Sequence, residues 1–156
     1  YLHTDVIESL ALFPLDSHLE PGNLQNLCFA IEGISHFLYL IWRAIHRHNV
    51  SLLELELQAE VDKYIVLLSL IRYRKKYNLI GKLRHLLFEA IRFDESLSET
   101  EEYRYRRANH YAGKYCQRFE RRYLTEFGSA RMYDELRDFY RLGENEKLRR
   151  IVNYPL

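Results

Sequence analysis

The 156-residue chain contains few of the residues that bend, interrupt or cross-link a fold, with six glycines, three prolines and two cysteines. Cys28 and Cys116 are too few for a disulfide framework, and their separation is not a metal-ligand spacing. The scarcity of thiols favours a reducing, cytoplasmic setting. No low-complexity run marks a linker, so we expect one domain spanning residues 1–156.

Motifs that carry catalytic chemistry are missing as well. The sequence contains no glycine-rich phosphate loop and no Gly-x-Ser-x-Gly nucleophile motif. Two histidine–carboxylate pairs at i,i+4 spacing, Glu32 with His36 and His85 with Glu89, share their helix faces with other polar residues. We interpret both pairs as solvated surface rather than metal ligands. The sequence therefore predicts a protein that is not an enzyme and that holds no metal or cofactor.

Helical periodicity accounts for nearly the whole chain. Ser51 with Glu54 and Ser98 with Glu101 form two Ser-x-x-Glu capping boxes, and Asn and Gly residues mark helix ends. The alternation in "LLELELQ" resembles a strand, but its leucine, glutamate and glutamine residues favour a helix. We predict an all-α, single-domain antiparallel helical bundle of about six to seven helices. The predicted helices cover residues 4–14, 23–48, 51–77, 79–93, 99–127, 129–143 and 144–152.

Residues 24–45 are the most apolar stretch. Five polar or charged side chains interrupt it, which is more than a membrane span of about 20 residues usually carries. We therefore predict a buried helix of a soluble protein at the centre of the core, and no membrane partner. The face expected to be buried carries Leu27, Ile31, Ile34, Leu38, Ile41, Trp42 and Ile45.

The net charge of +1 hides an asymmetry between the two halves of the chain. Residues 1–71 contain 3 basic and 9 acidic residues, and residues 72–156 contain the other 20 basic and 13 acidic residues. Such a chain either neutralises itself, within or between copies, or offers its basic half to an acidic partner. The acids expected to meet the basic half are Glu56, Glu60 and Asp62.

The segment "EEYRYRRANHYAGKYCQRFERRY", residues 101–123, carries the most distinctive basic surface. Most of its aromatic rings fall on the apolar side of the predicted helix, which leaves Tyr111 as the best exposed ring. Four cations without an acid three or four residues away fall within about 60° on the helical wheel. We call these four the basic stripe: Arg107, Lys114, Arg118 and Arg121.

The basic stripe, flanked by Arg104, His110 and Tyr111, is the predicted binding site. We expect a non-catalytic interaction or regulatory module that binds an acidic protein surface or a second copy of itself. A nucleic-acid-binding regulator that uses the same helix is the first alternative. A helical ribonuclease that uses Arg104 and His110 is the second, although chance alone gives roughly two arginine–histidine pairs at such spacings in this chain.

Overall fold

A computed structural model describes Thr4, Glu8 and residues 21–91, 93 and 96–153. Within this part of the chain there are no strands, which confirms the all-α bundle. The predicted helix over residues 4–14 lies outside the described residues except for Thr4 and Glu8. A short 3-10 helix, Tyr77–Leu79, precedes the third of six α-helices. The six are α1 (Pro21–Ile45), α2 (Leu52–Tyr73), α3 (Ile80–Phe88), α4 (Glu99–Tyr123), α5 (Ala130–Arg141) and α6 (Glu144–Asn153).

Serine side chains begin three of these helices, as the sequence predicts. Ser98 forms the complete capping box with Glu101 at the start of α4. Ser51 and Ser129 each accept a hydrogen bond from a backbone N–H in the first turn of α2 and α5. The Glu54 carboxylate, however, binds partners in α1 and α6, so Ser51 caps α2 without the reciprocal half of the box.

Most helices end three to five residues earlier than predicted. After α1 and α2 the chain turns through Arg47 and Lys75, whose φ angles are 55° and 56°. Backbone bonds from His48 N to Arg43 O and from Lys76 N to Ile71 O close these turns. This is the pattern of a Schellman cap, here with basic residues in the left-handed position that glycine usually takes. Arg47 and Lys75 therefore lie in the caps, next to the negative ends of the helix dipoles.

Helix α2, rather than α1, is the centre of the core. It packs against both α1 and α4, and residues 53–61 are buried without interruption. Leu57 and Leu68 are fully buried in the same hydrophobic cluster as Ala112 and Phe119 of α4. Four of the residues buried with them are charged or amide-bearing, so this helix needs polar partners from its neighbours. They are Glu54, Glu56, Gln58 and Glu60.

Helix α1 supplies those partners by presenting its polar side, which makes the predicted core face wrong. Ser35, Tyr39 and Arg43 are buried, whereas Leu38 is 54% exposed. The helix is turned about its axis by roughly 100°, the angle of one residue, relative to the predicted orientation. The acidic side of α2 decides this orientation, because unpaired buried carboxylates cost more than exposed leucines. Of the seven residues expected to be buried, Ile31 is buried and Leu27 and Trp42 are half-buried. The other four are exposed: Ile34, Leu38, Ile41 and Ile45.

Candidate functional site

The rotation of α1 creates a continuous apolar surface on the outside of the bundle. Its large side chains are between 42% and 72% exposed and span about half of the helix circumference over roughly 24 Å. None of them is charged. A contiguous apolar surface of this size usually marks an interaction site. We call it the α1 outer face: Phe29, Ile34, Phe37, Leu38, Leu40, Ile41 and Ile45.

Residues Leu24–Ile45 are also long and apolar enough to cross a membrane by length and composition, with 28% of the most apolar window buried. This criterion does not distinguish a span from the core helix of a soluble protein. The opposite side of the same helix is closely bound to α2, as the Ser35 and Tyr39 contacts below show.

The inner side of α1 meets a buried lysine from the last helix. Lys147 is 0% exposed, and its Nζ donates to Tyr39 Oη at 2.9 Å and to Gln58 Oε1 at 2.5 Å. Tyr39 Oη in turn donates to Glu54 Oε1 at 2.5 Å. Burial, opposed by the nearby carboxylates, lowers the pKa of Lys147 to about 7. The lysine thus connects α1, α2 and α6 through one hydrogen-bond network.

A second polar network on the same side joins Asp62 to both helices. Ser35 donates to Asp62 Oδ2 at 2.6 Å and Gln58 donates to Oδ1 at 2.8 Å. Burial raises the pKa of this carboxyl group. Asp62 and Gln58 also line a cleft of about 300 Å³ between α1, α2 and α5, whose other walls include Trp42 and Tyr140.

A third group combines histidine and carboxylate side chains. Glu32 and His36 of α1 and Glu56 of α2 place one ligand atom each within 4.8 Å of one another. His36 Nε2 lies 3.3 Å from Glu56 Oε2. Lys63 Nζ bridges Glu32 at 2.9 Å and Glu60 at 2.7 Å. Glu32 and His36 therefore face α2, which corrects the interpretation of this pair as solvated surface.

The other histidine–carboxylate pair behaves as expected. His85 Nδ1 lies 2.9 Å from Glu89 Oε2, and both side chains are more than half exposed. No third ligand group accompanies them among the described residues.

Part of the predicted binding site on α4 is open to solvent. Lys114 and Arg121 are exposed, and neither forms a salt bridge within the described part of the chain. His110 is exposed as well, and partial burial together with the Lys114 charge lowers its pKa. Arg107 is half-buried, with its guanidinium 5.6 Å from the Tyr103 ring and 5.8 Å from the Tyr111 ring.

The remaining predicted site residues are engaged with the fold. Arg118 has no acid nearby on its own helix, but its Nη1 donates to the backbone oxygen of Arg150 in α6 at 3.1 Å. Tyr111 packs against the hydrophobic core, and Tyr103, 64% exposed, is the open ring instead. One cation and one ring of the predicted surface are therefore engaged in contacts within the fold.

Arg104 and His110 are not brought together. The Arg104 guanidinium lies 5.3 Å from the Tyr105 ring, and its Nε is buried without a hydrogen-bond partner. The His110 ring packs against Tyr111, with the ring centroids 5.4 Å apart. Six residues along a helix set the two side chains about 120° apart.

The acids expected to pair with the basic stripe serve α1 and α2 instead. Glu56 contacts His36, Glu60 contacts Lys63, and Asp62 accepts from Ser35. These three acids therefore have partners within the first half of the chain, and Lys147 of the second half enters the same buried polar region through Gln58. All three acids pair with residues other than those of the basic stripe.

Comparisons with protein-family models, curated proteins and solved structures return no significant match to this chain. Sequence reasoning missed the α1 outer face and the Glu32, His36 and Glu56 group because both depend on the direction in which α1 faces. The signal that could have revealed them is the run of acidic residues in "ELELQAE", which requires polar partners once it is buried.

Proposed function

We propose that the protein is a non-catalytic helical interaction module that self-associates through the α1 outer face. The observation that carries the proposal is a row of seven large apolar side chains exposed along one helix. Removing such a surface from water is the dominant driving force of most protein association. The contact surface in this proposal lies on α1 rather than on the α4 surface that the sequence favours.

A second copy of the chain is the occupant that the chemistry of this face favours. A two-fold dimer places the same surface on both partners, so any charge on it would face a like charge near the axis. The α1 outer face carries no charge and can pair with itself without that cost. Its side chains, each about half exposed, offer on the order of 600 Å², near the roughly 800 Å² per partner of a standard interface.

The rest of α1 argues against a lipid partner. Helices that lie on membranes carry lysine and arginine beside their apolar face. Arg43 is the only base between Leu24 and Ile45, and it is buried, with Nη2 3.2 Å from Glu54 Oε1. A full span would draw Glu32 and the charged side of α2 into hydrocarbon, where each charge costs several kcal/mol.

Sedimentation of the full chain tests the proposal. We expect a dimer at micromolar concentration that persists when the salt is raised, since an apolar interface is not screened. Leu38→Lys should yield a folded monomer. Leu86→Lys is the matched control, because Leu86 is similarly exposed but lies on α3; this variant should remain a dimer.

Two results would overturn self-association through α1. The first is a wild-type chain that stays monomeric at about 100 µM; if that monomer also co-sediments with liposomes, the face is a lipid surface. The second is a dimer that dissociates at high salt and survives Leu38→Lys, which would place the contact on charged groups such as the basic stripe.

The α4 surface supports a second candidate function, the binding of an acidic protein or nucleic acid. Arg107 lies between two tyrosine rings, while Lys114 and Arg121 project into solvent nearby. Cations beside aromatic rings suit phosphate groups and stacked bases. The salt dependence of binding, treated in the Discussion, tests this candidate independently of the dimer.

A further inference from the structure

We propose that Glu32, His36 and Glu56 form a binding site for a divalent first-row transition-metal ion of the Zn²⁺ or Mn²⁺ type. The three side chains come from two helices that pack against each other, α1 and α2. The i,i+4 spacing of Glu32 and His36 places both on one helix face, opposite the third ligand. This site lies on the inner side of α1 and does not depend on the proposed dimer.

The distances suit one ion. Metal–ligand distances of about 2.1 Å allow two ligands of the same ion to lie up to about 4.2 Å apart. The three ligand atoms already lie within 4.8 Å of one another, and His36 Nε2 and Glu56 Oε2 are 3.3 Å apart. Displacing the ligand atoms by less than about 1 Å would bring all three within bonding distance of one ion. The site holds three protein ligands and leaves further positions for water.

The charge balance also points to a cation. Glu32, Glu56 and Glu60 carry three negative charges, and Lys63 neutralises one of them by bridging Glu32 and Glu60. With His36 as a neutral ligand, these side chains by themselves leave an excess of negative charge, which a divalent ion would reduce.

An unpaired buried atom provides an independent sign of a missing ligand. Glu60 adjoins the group through Lys63, whose Nζ contacts both Glu60 and Glu32. Glu60 is 8% exposed, and its Oε2 has no hydrogen-bond partner. Buried carboxylate oxygens are normally satisfied. Glu60 lies outside the group of three ligand atoms, and a water bound to the ion would be a donor of the kind that its Oε2 lacks.

The nature of the ligands selects the ion. An imidazole nitrogen with carboxylate oxygens suits Zn²⁺ and Mn²⁺, whereas Mg²⁺ and Ca²⁺ prefer oxygen ligands alone. His36 and Glu32 keep about a quarter of their side-chain surface exposed, so an ion can enter from solvent. Because the ligands lie on both α1 and α2, a bound ion would fasten these helices together.

Isothermal titration of the untagged, chelator-treated chain with Zn²⁺ and, separately, Mn²⁺ tests the site. We expect saturable 1:1 binding of at least one of these ions, and no saturable binding of Mg²⁺ or Ca²⁺. His36→Gln and Glu56→Gln should each weaken binding by tenfold or more. His85→Gln is the matched control, because His85 and Glu89 have the same spacing but no third ligand group among the residues that the structure describes. Its affinity should equal that of the wild type.

Co²⁺ gives a second, spectroscopic measurement, because its visible absorption reports the ligands around the ion. Its visible absorption should appear on binding to the wild type and to His85→Gln, and should be lost in His36→Gln. Glu56→Gln, which changes volume little, replaces His36→Gln in this comparison if circular dichroism shows that the latter is unfolded. The site is disproved if no saturable binding of Zn²⁺ or Mn²⁺ occurs below about 100 µM. It is equally disproved if both ligand variants bind like the wild type, or if His85→Gln loses as much affinity as they do.

Discussion

The ammonium group of Lys147 in α6 lies 2.9 Å from the hydroxyl oxygen of Tyr39 in α1, across 108 residues of sequence. Its nitrogen also lies 4.5 Å from the centre of the Tyr39 ring and 5.1 Å from that of Phe139. Keeping a positive charge on a lysine that is enclosed by two aromatic rings costs free energy, because the charge has lost its hydration. The stability of the fold should therefore depend on its protonation.

The free energy of unfolding should rise with pH between 7 and 9 through Lys147. Its folded-state pKa of about 7 lies below the ordinary 10.5, so in this range the unfolded chain binds a proton that the folded chain lacks. The rise amounts to at most about 1.4 kcal/mol per pH unit for one group. Urea denaturation of the wild type and of Lys147→Met should show this component in the wild type alone. Lys82→Met, an exposed lysine of α3, is the control. Parallel pH profiles for wild type and Lys147→Met would contradict the prediction.

Truncating one leucine in α2 should cost far more stability than truncating one in α1. Leu57 is fully buried, and Leu57→Ala should lower the free energy of unfolding by about 2–5 kcal/mol. Leu38 is 54% exposed, and Leu38→Ala should cost less than about 1 kcal/mol in the monomer. Denaturation at low protein concentration measures both. A larger loss of unfolding free energy for Leu38→Ala than for Leu57→Ala would support the orientation of α1 that the sequence predicts.

Two glycines inside helices should respond oppositely to alanine. A Cβ at Gly81 in α3 would meet no atom within 4 Å, so Gly81→Ala should stabilise the fold by about 1 kcal/mol through helix propensity. A Cβ at Gly113 in α4 would lie 3.2 Å from the Phe88 side chain. Gly113→Ala should therefore gain less than Gly81→Ala, or destabilise, because Phe88 must move. Thermal unfolding of the two variants measures the difference. Equal gains in stability would show that the Phe88 side chain in α3 can move aside without cost.

The salt dependence of nucleic-acid binding should report the exposed cations of α4. If Lys114 and Arg121 contact phosphates, replacing both by Gln should reduce the slope of log affinity against log salt on duplex DNA by about 1.8. Fluorescence anisotropy with labelled oligonucleotides measures it. Replacing Arg131 of α5, also exposed, should leave the slope unchanged. If no oligonucleotide binds below about 100 µM at low salt, nucleic acid is excluded and an acidic protein becomes the candidate ligand.

The candidate site was only partly visible in the sequence. The exposure of Lys114, Arg121 and His110 follows from the helical wheel of α4, since its apolar side is wide and unambiguous. The contact of Arg118 with the Arg150 backbone does not, because it requires the position of α6. The same holds for Glu56, whose approach to His36 depends on how α1 and α2 are packed.

The sequence by itself determined where three of the helices begin. Ser98 with Glu101, Ser51 and Ser129 begin helices through bonds between residues three apart, which need no tertiary contact. Only the tertiary structure decided how α1 faces. A helical wheel ranks faces by their affinity for water, and on that basis Leu38 belongs inside and Arg43 outside. Here the partner surface is a helix whose buried side carries Glu54 and Glu56, so pairing of charges between helices outweighed burial of leucine.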